Sequence, residues 1–219
     1  MSDLPQNPGP EGQPAQPAGD PATYSQKFSH APVAARVPEK VGKGVFSTGI
    51  CIQDTPTEFI VDFLQSLARP AAIVARVIIT PPVMGGFVQS LRENLNRYVQ
   101  SFGAPTPLPK PPPNQPRPSI QEIYEHFKMP EDLYSGSYAN SFLIAHGPSE
   151  FCFDFITGFF PTAAVSCRAY LSAQQIPRML DTLNMAFIQH QQRYANFYQG
   201  QPPQAPPSPE PPPQTPGPQ

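Results

Sequence analysis

Two acid-bearing apolar hexamers carry the residue types most able to do chemistry: EFIVDF, Glu58 to Phe63, and EFCFDF, Glu150 to Phe155. Two neighbouring carboxylates are what a hydrolase needs, one as general acid and one as base or nucleophile. Strand geometry argues against that use. Glu58 and Asp62 share a strand face but stand about 13 Å apart at roughly 3.3 Å per residue. No second acid or base accompanies either one, and no pocket signature surrounds them. Asp62 has a better partner. In an antiparallel hairpin centred near Arg69, Asp62 falls opposite Arg76, and the same arithmetic sets Asp154 opposite Arg168. Such a cross-strand ion pair stabilises a sheet and fixes its register.

Other reactive residues form no constellation. His30, His126, His146 and His190 are scattered, with His146 in a turn and His190 on a helix stripe. Cys51, Cys152 and Cys167 are odd in number, lack metal-ligand spacing and sit in apolar strand-like segments, as buried reduced thiols do. The run Gly42–Lys43–Gly44 lacks the rest of a phosphate-loop pattern and reads as an entry to the first strand. No nucleophile–base arrangement stands out. The expectation is therefore a protein with no catalytic, metal or cofactor site.

The elements that position these residues come in two copies. An offset of 92 aligns Phe46–Phe102 with Tyr138–Tyr194 without a gap, with identities at Pro56/Pro148, Glu58/Glu150, Asp62/Asp154, Phe63/Phe155, Arg76/Arg168 and Leu91/Leu183 among others. Register kept over three elements and their turns marks a tandem duplication. Each copy reads as three strands and a helix. The first strand is FSTGICIQ, with Phe46, Thr48, Ile50 and Ile52 on one face. The second alternates Phe59, Val61 and Phe63, or Phe151, Phe153 and Phe155; the third, AIVARVII, turns Ile73, Ala75, Val77 and Ile79 to the core. The period then changes to 3.6. Thr80 caps a helix with Pro81 at its first position, and Ser172 is expected to do the same in the second copy. Met84, Phe87, Val88, Leu91, Leu95, Tyr98 and Phe102 form its stripe, and Gly103 ends it. Gly85–Gly86 points to close helix-to-sheet packing. A further short helix starts at Ser119, which has capping-box spacing to Glu122.

The fold class expected is α+β: two β-β-β-α repeats packed as a pseudo-twofold pair, each an antiparallel sheet with one helix. The face bearing the ion pair is apolar as well, through Ile60, Leu64, Val74 and Ile78 in one copy and Cys152, Ile156 and Tyr170 in the other. A sheet apolar on both faces must be covered on both. With the helix on one side, the other needs the sister copy or another subunit.

Proline divides the chain. Of 34 prolines, 8 lie in residues 1–40, 8 in 104–118 and 10 in 200–219, so residues 1–40 and 200–219 read as disordered arms and 104–118 as a semi-stiff linker. The folded segments are then 41–103 and 119–199. Between Val41 and Gln199 there are 11 Lys+Arg and 11 Asp+Glu, so the core is neutral, unlike a protein built to grip phosphate backbones. The longest apolar run is too short to span a bilayer, and the start lacks a secretory signal, which makes a cytoplasmic location the expectation.

These residues resemble a bacterial family catalogued as domain of unknown function 3467. Its pattern is met by Gly44, Phe46, Glu58, Phe59, Asp62, Phe63, Arg76, Thr80, Pro81, Asn94, Tyr98, Phe102 and Gly103, and again by Gly136, Tyr138, Asn140, Glu150, Phe151, Asp154, Phe155, Arg168 and Ser172. Thr48, Ala173, Ala186 and His190 depart from it. The resemblance implies no activity, substrate or cofactor. A looser likeness is to purine-rich-element-binding and Whirly-type folds, which pair such units and bind single-stranded nucleic acid; fold alone does not fix function. The leading expectation is a non-enzymatic interaction or assembly module that associates with itself or another protein. Single-stranded nucleic-acid binding ranks second, against the neutral charge, and an enzyme with its site between the copies ranks third.

Overall fold

The computed structural model describes residues 35–109, 118–159 and 162–198. In chain order these form α1 (Glu39–Gly42), β1 (Val45–Ser47), β2 (Gly49–Asp54), β3 (Phe59–Gln65), β4 (Ala72–Ile79), α2 (Pro81–Phe102), α3 (Ile120–His126), β5 (Ser137–Tyr138), β6 (Ser141–His146), β7 (Glu150–Thr157), β8 (Ala164–Ser172), α4 (Ile176–Arg193) and α5 (Ala195–Tyr198). The class is α+β, with two four-stranded sheets. Sheet 1 runs β2-β3-β4-β5 and sheet 2 runs β1-β8-β7-β6.

The first strand of each copy is not the continuous element its alternation predicts. It breaks at Thr48, and β1 leaves its own sheet to pair in parallel with β8, matching Val45 with Ala169 and Ser47 with Leu171. β5 does the reverse and pairs in parallel with β4. Buried Ser47 makes the break, its Oγ donating to the carbonyls of Gly49 at 2.7 Å and Leu64 at 2.9 Å, while the Thr48 amide also donates to Leu64 O. In the second copy Ala139 occupies this buried place and the Asn140 amide donates to Ile156 O.

The helices are exchanged as well. Phe87 of α2 meets Phe142, Phe153 and Phe155 of sheet 2 at ring separations of 5.2, 5.7 and 5.3 Å. Phe187 of α4 meets Phe59 of sheet 1. Where the helices touch, Gly85 removes a Cβ that would stand 2.9 Å from Phe187 Cζ, so that glycine serves helix-to-helix contact rather than the helix-to-sheet contact expected. Arg92 and Asn184, 92 positions apart, hydrogen-bond across the same contact. One core results, holding the Phe59–Val61–Phe63 and Phe151–Phe153–Phe155 faces with both helices, and Phe63 and Phe155 meet edge-on at 5.8 Å.

Thr80 stands at the N-cap of α2 without a side-chain cap bond, Pro81 follows it, and Gly103 ends the helix at φ 82°. Ser172 does not cap its helix: a 3-10 turn, Ala173–Gln175, intervenes and α4 begins at Ile176. Pro177, not residue 173, carries the proline here, and proline belongs in a first turn. Both bonds of the Ser119–Glu122 capping box on α3 are present.

The folded part starts before residue 41, which corrects the expected arm boundary. Arg36 bridges to Ala164 through Arg36 N–Ala163 O and Val165 N–Arg36 O, both 2.8 Å, and Lys128 bridges to Ala72 in the same way. These bridges are again 92 residues apart, so the duplication reaches back to Arg36 with Pro38/Pro130, Glu39/Glu131 and Gly44/Gly136. The expected arms over residues 1–34 and 200–219 lie outside the described residues, as does most of the linker.

Candidate functional site

Asp62 and Arg76 are register partners, as are Asp154 and Arg168. Each pair is bidentate. Arg76 Nε and Nη2 donate to the two Asp62 oxygens, both at 2.8 Å, and Arg168 Nε and Nη2 donate to those of Asp154 at 2.6 and 2.7 Å. This fork-on-carboxylate geometry raises both guanidinium pKa values beyond their already high ordinary range.

The third arm of each arginine reaches the chain that crosses between sheets. Arg76 Nη1 donates to Tyr134 O at 3.3 Å, and Arg168 Nη1 donates to Gly42 O at 3.4 Å. Two residues on, Gly136 (φ 68°) and Gly44 (φ 62°) let the backbone pass close over the arginines. A Cβ on Gly44 would lie 2.5 Å from the Tyr170 ring and 2.8 Å from Arg168 Cγ. Each ion pair thus anchors the strand that the other repeat contributes. Gly44→Ala should cost about 1–2 kcal/mol from left-handed backbone alone, plus the displacement of Tyr170. Comparing the fall in urea midpoint with that of the same substitution in a Tyr170→Ala background isolates the ring contact.

Glu58 does not join this site. Its carboxylate accepts from Thr57 Oγ1 and Thr55 Oγ1 at 2.6 and 2.7 Å, which close the turn and hold its pKa below the usual carboxylate range. Glu150 is exposed at the matching turn. Among the described residues no cluster of three His, Cys, Asp or Glu is placed to hold a metal. His146 ends β6 rather than lying in a turn, and its ring stacks on Phe151 at 5.0 Å. His190 is buried where the first copy has Tyr98. Its Nε2 bonds Thr55 O at 3.0 Å, while Tyr98 Oη donates to Pro148 O at 2.8 Å, so both rings tie a helix to the other repeat's turn. His126 lies beside Phe127, and His30 is outside the described residues.

The three cysteines are free. Burial pushes all three thiol pKa values up, Cys167 to about 12. The folded state therefore keeps a proton that the unfolded chain gives up above its ordinary value of 9.0. Stability should fall as pH rises from about 9 towards 12, with a slope of about 1.4 kcal/mol per pH unit for this one group. Chemical denaturation at pH 8, 9 and 10 reads that slope, with Cys167→Ala as control.

A cleft of about 190 Å³ lies between the sheets, walled by Val74, Cys167 and the two arginines. Both guanidinium groups are already engaged, and no carboxylate lines the space.

The outer sheet faces, which carry the ion pairs, differ between the copies. On sheet 1, Ile60 and Ile78 face Gln53 and Tyr138 across the strands, with Cys51 beside Asp62. Ile123, Tyr124, Phe127, Met129 and Leu133 pack over Cys51, Leu64 and Ile73. Tyr124 Oη donates to Asp62 and accepts from Arg76 Nη2 at 3.0 Å. The sister copy thus supplies the cover for the Leu64 side of this face, and Val74 is half-buried at the cleft. Sheet 2 carries a row Ala145–Cys152–Tyr170–Phe46 and a row Leu143–Asp154–Arg168. Leu143 is 44% exposed, whereas its counterpart Cys51 is 6% exposed. Ile156 is buried beside a bulge that sets it opposite Val165, away from the open rows. The aligned repeat carries no sign of this difference, because α3 lies outside it.

An intertwined pair of duplicated β-β-β-α units, each locked by an Asp–Arg fork, defines the class of protein. Residues 9–106 and 109–199 each match the family described as Protein of unknown function (DUF3467), and the chain belongs to that family as two tandem copies. No curated protein matches the chain. No helix among the described residues is long and apolar enough to cross a membrane.

Proposed function

We propose that the chain is a non-enzymatic protein-interaction or assembly module whose binding surface is the outer face of sheet 2. The supporting observation is the asymmetry just described: the same sheet face is covered at Cys51 in one copy and open at its counterpart Leu143, and at Ala145, in the other. Open apolar area rimmed by polar groups is characteristic of interaction sites. The ion-pair forks are structural, since every arm of each arginine is engaged within the fold. A photo-crosslinking residue at position 143, compared with one at Gln89 on the solvent side of α2, tests the reading in cells. A discrete adduct from position 143 alone is expected; equal labelling from both would remove the assignment.

Single-stranded nucleic acid is the second reading. Phe46, Tyr138 and Phe159 are exposed, the last two stacked at 5.7 Å, and exposed rings can stack on bases. The balanced charge opposes it. Titration with labelled single-stranded DNA and RNA at low and physiological salt decides: tight binding that weakens steeply with salt would make this the leading function.

A further inference from the structure

We infer that the chain's own residues 28–35 lie as a strap across the outer face of sheet 2, with Val33 over Ile156 and Val165 and Phe28 at Leu143, and that a partner reaches Leu143 by displacing the Phe28 end. The inference rests on the interaction reading above and names the regulation of that site.

Ile156 and Val165, register partners on sheet 2, are only 3% and 2% exposed. Their counterparts on sheet 1, Leu64 and Ile73, are sealed by residues on either side of the Lys128 bridge: Ile123, Tyr124 and Phe127 ahead of it, Met129 and Leu133 behind. The equivalent bridge on sheet 2 is at Arg36. Behind it, Val37 stands at the place of Met129 but is 42% exposed, so it is not what seals the pair. The chain ahead of Arg36 is placed to do so. Arg36 is held on both sides, its amide donating to Ala163 O and its carbonyl accepting from Val165 N. Ala35, half-buried, is thereby delivered beside Val165, and whatever precedes it starts from the edge of this face.

The sequence ahead of Arg36 suits an extended strap and not a second α3. At the 92-residue offset Ile123 corresponds to Ala31, Tyr124 to Pro32 and Phe127 to Ala35. Pro32 cannot sit inside a helix like α3, and it biases Ala31 towards extended backbone. Residues 31–35, APVAA, are all apolar. In extended chain Val33 and Ala35 share a face, which turns Val33 to the pair that Ala35 adjoins. Leu143 lies three strands across and two residues along from the Arg36 bridge, about 16 Å at the usual sheet spacings. Phe28, eight residues ahead of Arg36, is the first large apolar side chain beyond Val33, and an extended chain of that length spans up to about 26 Å. With proline at the place of Tyr124, the strap lacks the hydroxyl that ties α3 to Asp62. The seal is therefore tight at Ile156 and Val165 and loose at Leu143, which remains exposed. Of the two outer faces, this is the one a partner can open.

The test uses the purified full chain with a photo-crosslinking residue at Phe28, at Val33 or, as control, at Gln13. Links within one chain are expected from position 33 to peptides of β7 and β8 and from position 28 to β6, in yields independent of concentration. Lys27 is the only lysine or arginine ahead of Arg36, so trypsin reports on the strap without any label. Cleavage after Lys27 should be several-fold faster in Phe28→Ser and in Leu143→Asp than in the parent, while the melting curves of both variants stay close to the parent's. Links from positions 28 and 33 as scattered as those from position 13, or equal cleavage rates in all three chains, overturn the proposal. Links between two chains that rise with concentration also overturn it, because the occupant is then a second copy. In cells, the adduct from position 143 should increase several-fold in Phe28→Ser. An adduct that Phe28→Ser leaves unchanged keeps the interaction face and rejects displacement of the strap. No adduct in either background rejects the interaction face, and displacement with it, while the links within the purified chain still decide whether the strap exists.

Discussion

Asp62→Ala is expected to lower the unfolding free energy by about 3–5 kcal/mol, the usual cost of stranding one member of a buried ion pair. The Asp62 side chain is 1% exposed, and its loss leaves Arg76 Nε and Nη2 and the Tyr124 hydroxyl without their acceptor. The effect should spread beyond the pair, because Arg76 also holds the crossing segment at Tyr134 O, next to the strand β5 that completes sheet 1. Asp154→Ala should cost less. Its side chain is 10% exposed, that of Arg168 is 22%, and among the described residues no tyrosine hydroxyl bonds it as Tyr124 bonds Asp62. A double replacement, Asp62→Leu with Arg76→Met, should recover much of the loss, since a buried pair exchanged for apolar groups of like volume is often neutral. Urea unfolding followed by circular dichroism separates these cases. A loss below about 1 kcal/mol for Asp62→Ala, the range of surface pairs, would show the fork to be dispensable.

The parts of this architecture legible from sequence were those set by local periodicity and by comparison of the chain with itself. The α+β class, the repeat and the Phe59–Val61–Phe63 core face all follow from period-2 and period-3.6 patterns held at one offset. The exchange of strands and helices did not follow, for a physical reason. Alternation at Phe46, Thr48, Ile50 and Ile52 reports which way side chains point only within one strand. The break at Thr48 inverts it, so Val45 and Ser47 turn to the core and Phe46 is exposed, whereas Ile50 and Ile52 beyond the break pack on the core. Burial of Ser47 and Ala139 makes the crossing possible, but small residues in a strand carry no label saying why they are small. The glycines at 44 and 136 were the available signal. Each stands one residue before an exchanged strand, at the same offset as the repeat, with a backbone that only glycine adopts cheaply. The unequal covering of the two outer faces lay further out of reach, because it depends on where α3 docks, and docking is a non-local choice.

Exchange on this scale makes the two repeats one folding unit, and that has the largest expected consequence of all. A chain cut within the linker, giving residues 1–109 and 110–219, should yield fragments that show no cooperative unfolding as monomers and regain it when mixed in equal amounts. The contacts that would stabilise each half lie in the other. The ring partners of Phe87, namely Phe142, Phe153 and Phe155, all belong to the second fragment, and Phe187 and His190 lean on Phe59 of the first. Among the described residues β1 pairs only with β8, and β5 only with β4. A lone repeat would leave a row of phenylalanines in water, each worth about 1.5–3 kcal/mol when buried, with unpaired sheet edges besides. Its one escape is a homodimer that copies the exchange, never a folded monomer. The mixed fragments should melt at a temperature that rises with concentration, as any assembly stabilised by mass action does, whereas the intact chain should not. A compact monomer of either fragment, with a sharp transition of its own, would mean that the strands and helices can close on their own repeat, and that the linker rather than the core holds the pair together.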